Sequence, residues 1–148
     1  MEEYAHVVNV EGVVVRDGEY LLVERSPAAN HATGSLAFPG GKVEHPPDED
    51  GDAVEATAVR ELREEVGLAV GGVQYVHSRT FEADDGTPCI NVVTLCEDVE
   101  GEAHPRATDE VTAVHWLPPG AIRAREDVPS FLERDVDRVE ALRRNRGG

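Results

Sequence analysis

Residues 52–67 constrain the fold more than any other part of this chain, because their apolar residues follow a helical period. Every fourth position is apolar, which predicts one buried stripe on a helix from Asp52 to Val66: Val54, Ala58, Leu62 and Val66. Gly67 comes next and is typical of a helix end. We therefore expect an amphipathic helix that packs against a core through this stripe.

Three glutamates project from another part of the same predicted helix. Glu61, Glu64 and Glu65 are spaced i, i+3 and i+4, so their carboxylates lie close together and repel one another. A hard divalent cation such as Mg²⁺ would relieve this repulsion, since it binds carboxylate oxygens and keeps positions open for water and phosphates. The alternative is a solvated acidic face, the usual meaning of such a run in an acidic chain.

The residues around these glutamates resemble the signature of the Nudix hydrolase family (MutT-like), whose members cleave nucleoside diphosphates linked to another group. The family pattern is a glycine, five residues, a glutamate, seven residues and then Arg-Glu-apolar-x-Glu-Glu-x-Gly-apolar. The sequence from Arg60 to Leu68 matches its second half, and Gly40-Gly41 precede it, so the box region spans residues 40–68. The resemblance implies an α/β fold with a mixed β-sheet sandwiched between helices, and one Nudix domain over residues 1–148.

Two features depart from the family pattern. Asp52 replaces the glutamate eight residues before the arginine, and five extra residues separate it from Gly41, within an acidic insert at residues 45–51. Asp52 either caps the helix, since it begins a segment with capping-box spacing, or lies near the metal. An EF-hand beginning at Asp48 is excluded, because its glycine comes too early and its twelfth position is Val59.

The resemblance also assigns roles to the residues of the box. It implies one or more Mg²⁺ ions, with Mn²⁺ as an alternative, held by the side chains of Glu61, Glu64 and Glu65 and the backbone carbonyl of Gly41. Such metal ions neutralise charge on a diphosphate while water attacks it. Arg60 is expected to pair with a nearby acid and fix its orientation, the alternative being a surface pair with Glu64.

Two further candidates lie outside the glutamate cluster. Many family members take a catalytic base from a glutamate late in the chain, and Glu110, just before the last predicted strand, is the best-placed candidate. Asp109, Glu102 and Glu97 are the alternatives. Lys42 is the only lysine in the chain and follows the paired glycines. It is placed to bind a substrate phosphate, although a single lysine also arises by chance.

The substrate is less constrained than the reaction. Some dinucleoside or ADP-ribose enzymes of the family carry a proline or tyrosine where this chain has Glu-Ala-Asp-Asp at 82–85. We therefore expect a (deoxy)nucleoside triphosphate or a modified nucleotide, cleaved to the monophosphate and pyrophosphate. ADP-ribose or another nucleoside diphosphate sugar is the alternative. A module that binds a nucleotide without cleaving it is disfavoured, because all three glutamates of the box are present.

The charge of the chain restricts its partners. It has 30 acidic and 14 basic residues and a net charge of −16. This balance disfavours binding to a nucleic acid polymer, since phosphate backbones require a basic surface. It is typical of proteins from halophilic cells, where salt screens the repulsion between acidic groups. An acidic patch for a basic partner fits less well, because the acids are spread along the whole sequence.

Other sequence features indicate a protein of the cytoplasm. No apolar run is long enough to span a membrane, and the N-terminus lacks the pattern of a signal peptide. Cys89 and Cys96 are an odd number of residues apart, so we expect them on opposite faces of a strand as free thiols, which is typical of a reducing compartment. The sequence leaves homodimer formation open.

Short-range patterns predict the remaining elements. We expect strands at 6–16, 19–25, 35–38, 73–81, 87–97 and 111–117, a helical turn at 118–125 and a final helix from Pro129 that frays over 143–148. Asp17-Gly18 and Asp84-Asp85-Gly86 are predicted hairpin turns. Four residues could stack on a base but are not assigned as ligands, because a core position is the more common role for tyrosine and tryptophan: His31, Tyr75, Phe81 and Trp116.

Overall fold

The computed structural model describes residues 2–26, 35–44 and 52–147, so the acidic insert at 45–51 and His31 lie outside the described residues. A short 3-10 helix at Glu2–Tyr4 precedes the main elements. In chain order these are β1 (Val7–Val13), β2 (Val15–Arg16), β3 (Glu19–Arg25), β4 (Leu36–Ala37), β5 (Gly40–Lys42), α1 (Ala53–Val66), β6 (Ala69–Glu82), β7 (Pro88–Glu100), β8 (Val111–Leu117), α2 (Pro119–Ala124) and α3 (Ser130–Gly147). None of the described helices combines the length and apolar character that a bilayer crossing requires.

The described strands are divided between two sheets. The first has the order β5-β1-β7-β6 and is mixed: β1 and β7 run parallel, whereas the β5–β1 and β7–β6 pairs are antiparallel. In the second sheet, β3 pairs antiparallel with β2, β4 and β8. The mixed α/β class expected from the sequence is confirmed.

Helices cover both sides of this β-structure. The predicted stripe of α1 packs into one hydrophobic core through Ala58, Leu62 and Val66. A second core is built by α2 and α3, which contribute Ile122, Leu132, Val136 and Val139. Alternate residues of β3 serve the two cores, as the two-residue period of a strand requires: Leu21 and Val23 the first, Tyr20 and Leu22 the second.

The predicted strand at 6–16 is interrupted at Val14, where the chain passes from one sheet to the other. β1 pairs with β5 and β7, whereas β2 pairs with β3. The carbonyl oxygen of Val14 accepts a hydrogen bond from the Leu21 N–H at 3.0 Å. The turn after β2 is confirmed, since Asp17 and Gly18 both have positive φ, 54° and 77°, as a two-residue hairpin loop of this type requires.

The C-terminal segment differs from the sequence prediction. Residues 143–147 were expected to fray, but α3 continues to Gly147. Two ion pairs hold this last part of the helix: Arg143 contacts Glu140 at 3.2 Å, and Arg146 contacts Glu97 of β7. The second pair joins the helix to the first sheet, which a local sequence pattern does not indicate.

The aromatic side chains are more accessible than predicted. Tyr75 and Phe81 are 60% and 43% exposed, so the core position expected for Tyr75 is wrong, and Phe81 is accessible as well. Trp116 is partly buried against the first core, with the Arg16 guanidinium 5.4 Å from its ring centroid. Cys89 and Cys96 are buried and free, as expected.

Candidate active site

Helix α1 begins at a well-formed cap. The Oδ1 atom of Asp52 accepts hydrogen bonds from the N–H groups of Val54 and Glu55, each at 3.0 Å. At the other end, Gly67 adopts φ 74° and its N–H donates to the carbonyl of Arg63 at 3.1 Å. The capping role of Asp52 is therefore confirmed.

The three glutamates of α1 lie in three environments. Glu64 is exposed, Glu61 is partly buried, and Glu65 is only 2% exposed. The Oε2 atom of Glu65 accepts a hydrogen bond from Arg25 Nη1 at 3.1 Å, and its Oε1 atom accepts one from the Gly40 N–H at 3.3 Å. Burial raises the pKa of Glu65 to about 7, although the adjacent Arg25 guanidinium opposes the shift.

The paired glycines allow β5 to approach both β1 and α1. A Cβ atom on Gly41 would lie 2.5 Å from the Glu61 carboxylate carbon, and one on Gly40 would collide with the Val10 carbonyl oxygen. Neither glycine has a positive φ. Close approach of the backbone therefore explains the glycines here, and it brings the Gly41 backbone against the Glu61 carboxylate.

Arg60 joins β5 to the glutamate cluster. Its Nη2 atom donates to the Lys42 carbonyl oxygen at 2.9 Å and to Glu61 Oε1 at 3.1 Å. Its Nη1 atom lies 3.3 Å from Glu44 Oε1. The expectation that Arg60 pairs with a nearby acid is therefore confirmed, with Glu61 and Glu44 as the acids in place of Glu64.

A cavity of about 510 Å³ opens where α1, β1 and β5 meet. Six of the residues predicted from the sequence to act in the site line it: Gly41, Lys42, Arg60, Glu61, Glu65 and Glu110. We call it the acidic cavity. Glu64 is absent from the described lining, and so is Asp52. The fold thus brings together residues that are up to about 70 positions apart in the sequence.

Comparison with known proteins assigns the family. Residues 6–135 match the sequence model described as the NUDIX domain. The chain belongs to the NUDIX domain family. The Nudix box at residues 40–68 lies inside the matched region.

Individual Nudix relatives share part of the chain. Over 73 residues it is 42% identical to a CTP pyrophosphohydrolase of Escherichia coli (strain K12), covering 49% of this chain and 50% of the relative. Over 102 residues it is 34% identical to an ADP-ribose pyrophosphatase of Methanocaldococcus jannaschii, covering 67% and 56%. The chain spans about half the length of these curated relatives.

A solved structure supports the Nudix fold over almost the whole chain. The crystal structure of a MutT NUDIX hydrolase from Burkholderia pseudomallei superposes with a TM-score of 0.75 at 25% sequence identity. The superposition covers 91% of this chain and 98% of that structure.

Helix α1 carries most of the second half of the Nudix box, and we call it the Nudix helix. Its donor atoms fit a hard cation. Glu61 and Glu65 line the acidic cavity together with Gly41, and carboxylate and backbone carbonyl oxygens are the ligands that Mg²⁺ prefers. Within the described ranges, no three acidic, histidine or cysteine side chains converge as a metal-binding group. Glu65 is bonded to Arg25 and Gly40, and Glu61 to Arg60.

Of the four acidic residues considered as the catalytic base, Glu110 is the one in the described lining of the acidic cavity. Its side chain is exposed, and its carbonyl oxygen accepts the Ser26 N–H at 2.9 Å, which ties it to the end of β3. Glu97 instead pairs with Arg146, and Glu102 lines a separate cavity beside Trp116. This position in the described lining therefore distinguishes Glu110 from the other three candidates for the base.

A second cavity, of about 450 Å³, adjoins the first. The two share five lining residues, Asn9, Glu11, Arg25, Ala37 and Phe81. Its other walls are largely apolar and include Leu36, Pro129, Phe131 and Leu132. We call it the apolar pocket. The exposure of Phe81 gives this pocket an aromatic wall.

A hydrogen-bonded network of three polar side chains lies between the two cavities. Asn9 Nδ2 donates to Asn91 Oδ1 at 2.7 Å, and Asn91 Nδ2 donates to Glu11 Oε1 at 2.7 Å. Desolvation raises the pKa of Glu11 to about 7, against the hydrogen bond from Asn91. We did not predict these residues from the sequence. The available signal was the interruption of an apolar strand pattern by Asn9 and Glu11.

A buried carboxylate supports the apolar pocket from behind. Asp135 of α3 is 1% exposed and bonds His77 Nε2 at 2.5 Å and Arg79 Nη1 at 3.2 Å. The Arg79 guanidinium in turn lies 4.1 Å from the ring centroid of Phe131. We did not predict this cluster from the sequence, although Asp135 falls beside Val136 on the apolar side of α3.

Proposed function

We propose that this Nudix protein hydrolyses a nucleoside diphosphate linked to another group. The leading substrate is a (deoxy)nucleoside triphosphate or a modified nucleotide, cleaved to the monophosphate and pyrophosphate. One observation carries the proposal: the acidic cavity at the Nudix helix adjoins the apolar pocket and shares five lining residues with it. A nucleotide has the same two parts, a charged phosphate chain and a flat aromatic base.

Residues of the box would hold the metal in this reaction. Glu61, Glu65 and Gly41 line the cavity, and Glu64 lies on the same helix. When bound, Mg²⁺ or Mn²⁺ neutralises charge on the phosphoryl oxygens. Arg60 orients Glu61 through its bond to Oε1, and Lys42 offers its ammonium to a substrate phosphate.

In the proposed hydrolytic step, Glu110 acts as the general base. A water molecule attacks one phosphorus atom of the diphosphate, and the bond from that phosphorus to the bridging oxygen breaks. The Glu110 carboxylate accepts the proton that the water loses. If the α-phosphorus is attacked, pyrophosphate leaves with the bridging oxygen; if the β-phosphorus is attacked, the monophosphate leaves with it and the oxygen of water enters pyrophosphate. Glu110 suits this role because it lines the acidic cavity and comes from the segment before β8 rather than from α1.

A nucleoside diphosphate sugar such as ADP-ribose is the second candidate substrate. The observation that favours it is the 34% identity to the ADP-ribose pyrophosphatase of Methanocaldococcus jannaschii.

We also propose that the protein works in a salt-rich cytoplasm. The free thiols of Cys89 and Cys96 and the acidic composition support this setting.

The test is a panel of nucleoside triphosphates, modified nucleotides and nucleoside diphosphate sugars, assayed with Mg²⁺, with Mn²⁺ and with chelator. We expect release of a monophosphate from at least one member, dependent on metal. Glu110→Gln should slow turnover without changing the fold, and an unchanged rate would transfer the role of base to another acid. If no member is hydrolysed with metal at any salt concentration, the protein is a nucleotide-binding module instead.

A further inference from the structure

The Asn9–Asn91–Glu11 network has a direction that Glu11 imposes. An ionised carboxylate only accepts hydrogen bonds, so Asn91 must turn its amide nitrogen towards Glu11 and its oxygen towards Asn9. Asn9 must then donate with its own nitrogen. These two bonds use neither the carbonyl oxygen of Asn9 nor the second oxygen of Glu11.

These two oxygens are available to a ligand. Among the described residues, no donor bonds Asn9 Oδ1 or Glu11 Oε2. Neither oxygen is a fully buried polar atom that lacks a partner; among the described side chains, that holds for His115 Nε2. Asn9 and Glu11 both line the acidic cavity and the apolar pocket. A ligand in this position therefore meets two acceptors and must supply donors.

We propose that Glu11 determines base specificity, and that the apolar pocket prefers a nucleobase with an exocyclic amino group, such as cytosine or adenine, over its keto counterpart. This inference rests on the proposed function, since it takes the ligand to be a nucleotide. The amino group donates a hydrogen bond to the Glu11 carboxylate. Uracil or hypoxanthine would place a carbonyl oxygen there, leaving acceptors opposed and unpaired.

The surroundings of Glu11 favour a base over the other parts of a nucleotide. A phosphate oxygen placed at Glu11 Oε2 would be repelled by the carboxylate. The Arg25 and Arg79 guanidinium groups of the apolar pocket are already paired with Glu65 and Asp135. Phe81 and Phe131 give the pocket aromatic walls suited to a flat ring. The hydroxyl groups of a ribose are the remaining donors, so the test includes a deoxynucleotide.

The experiment compares kcat/KM for CTP with UTP, ATP with ITP, and CTP with dCTP, using the full chain at pH 8.5. We expect the wild type to favour CTP over UTP, and ATP over ITP, by about tenfold or more. Glu11→Gln keeps the size of the side chain but offers an N–H₂ donor, so it should remove or reverse both preferences. The control is Glu100→Gln, an exposed glutamate at the far end of β7, which should keep them.

Each other outcome overturns the inference in a recognisable way. Equal kcat/KM for CTP and UTP in the wild type contradicts it while leaving the proposed function intact, as does a preference that Glu11→Gln retains. A CTP-over-dCTP preference lost in Glu11→Gln, with CTP and UTP equal, would assign Glu11 to the ribose. If no nucleotide is hydrolysed, calorimetric binding of the α,β-methylene analogues of CTP and UTP still decides, and equal or absent binding contradicts the inference.

Discussion

Glu64 and Glu65 are neighbours in the chain, yet one carboxylate is exposed and the other is bonded to Arg25 and Gly40. We expect Glu64→Gln and Glu65→Gln each to lower kcat/KM by more than about 100-fold, because the amide loses the charge that holds a cation. Mutating a residue that only hydrogen-bonds to a metal ligand costs about 10- to 100-fold. Glu55→Gln, an exposed residue of the same helix, is the matched control. Near-wild-type turnover in either box variant would remove that residue from the metal site.

Glu11 gives a pH dependence of stability that can be measured apart from activity. Its pKa is raised from 4.5 to about 7, chiefly by desolvation. The neutral form is therefore favoured in the folded state, so this contribution to the free energy of unfolding is fully present below pH 4.5 and is lost as pH rises through 7. Glu11 borders two cavities, so solvent screening reduces this cost, and we expect the contribution to be about 1–2 kcal/mol.

The variant Glu11→Gln isolates this contribution. Urea unfolding should show Glu11→Gln more stable than the wild type at pH 8, and the gap should close as pH falls towards 5. Other titrating groups, including Glu65, are common to both proteins and cancel in the difference. A gap that is constant with pH would mean that Glu11 keeps its ordinary pKa.

Helix α1 carries the three glutamates of the site, whereas its first turn contributes to stability and not to the described lining of the acidic cavity. Asp52 holds two N–H groups at the start of the helix but does not line the acidic cavity among the described residues. Asp52→Ala should lower the free energy of unfolding by about 1 kcal/mol, with kcat/KM nearly unchanged, and Asp52→Ser should restore most of the stability. A large loss of kcat/KM in both variants would show that the carboxylate acts on the metal site.

Elements with local signals were predictable, whereas contacts between distant residues were not. The spacing of apolar residues and the Asp52 and Gly67 caps predict α1, and the Asp17-Gly18 turn sets the start of β3. The Asn9–Asn91 bond joins residues 82 positions apart, and its strand pairing is parallel. A sequence pattern indicates which residues are polar but not which distant strand lies alongside, so the network of Glu11 emerged only in the structure.

For the whole molecule, charge is the dominant property. Acidic residues outnumber basic ones by 16, so many carboxylates lack a cationic partner of their own. Several arginines are already engaged with buried carboxylates, as in the Arg25–Glu65 and Arg79–Asp135 pairs. The unfolded chain separates the remaining like charges, whereas the folded state holds them close, and repulsion therefore destabilises the fold when it is poorly screened.

Salt should relieve this repulsion and stabilise the protein. The Debye length falls from about 30 Å at 0.01 M to about 3 Å at 1 M, and each kcal/mol gained raises Tm by about 2–4 °C for a chain of this size. We expect Tm to rise by many degrees between dilute buffer and molar KCl. Millimolar Mg²⁺ should reproduce part of the rise by binding at the Nudix helix, and Glu64→Gln should keep the KCl response while losing much of the Mg²⁺ response. A Tm that stays flat up to molar KCl would contradict salt adaptation and point to a basic partner for the acidic surface.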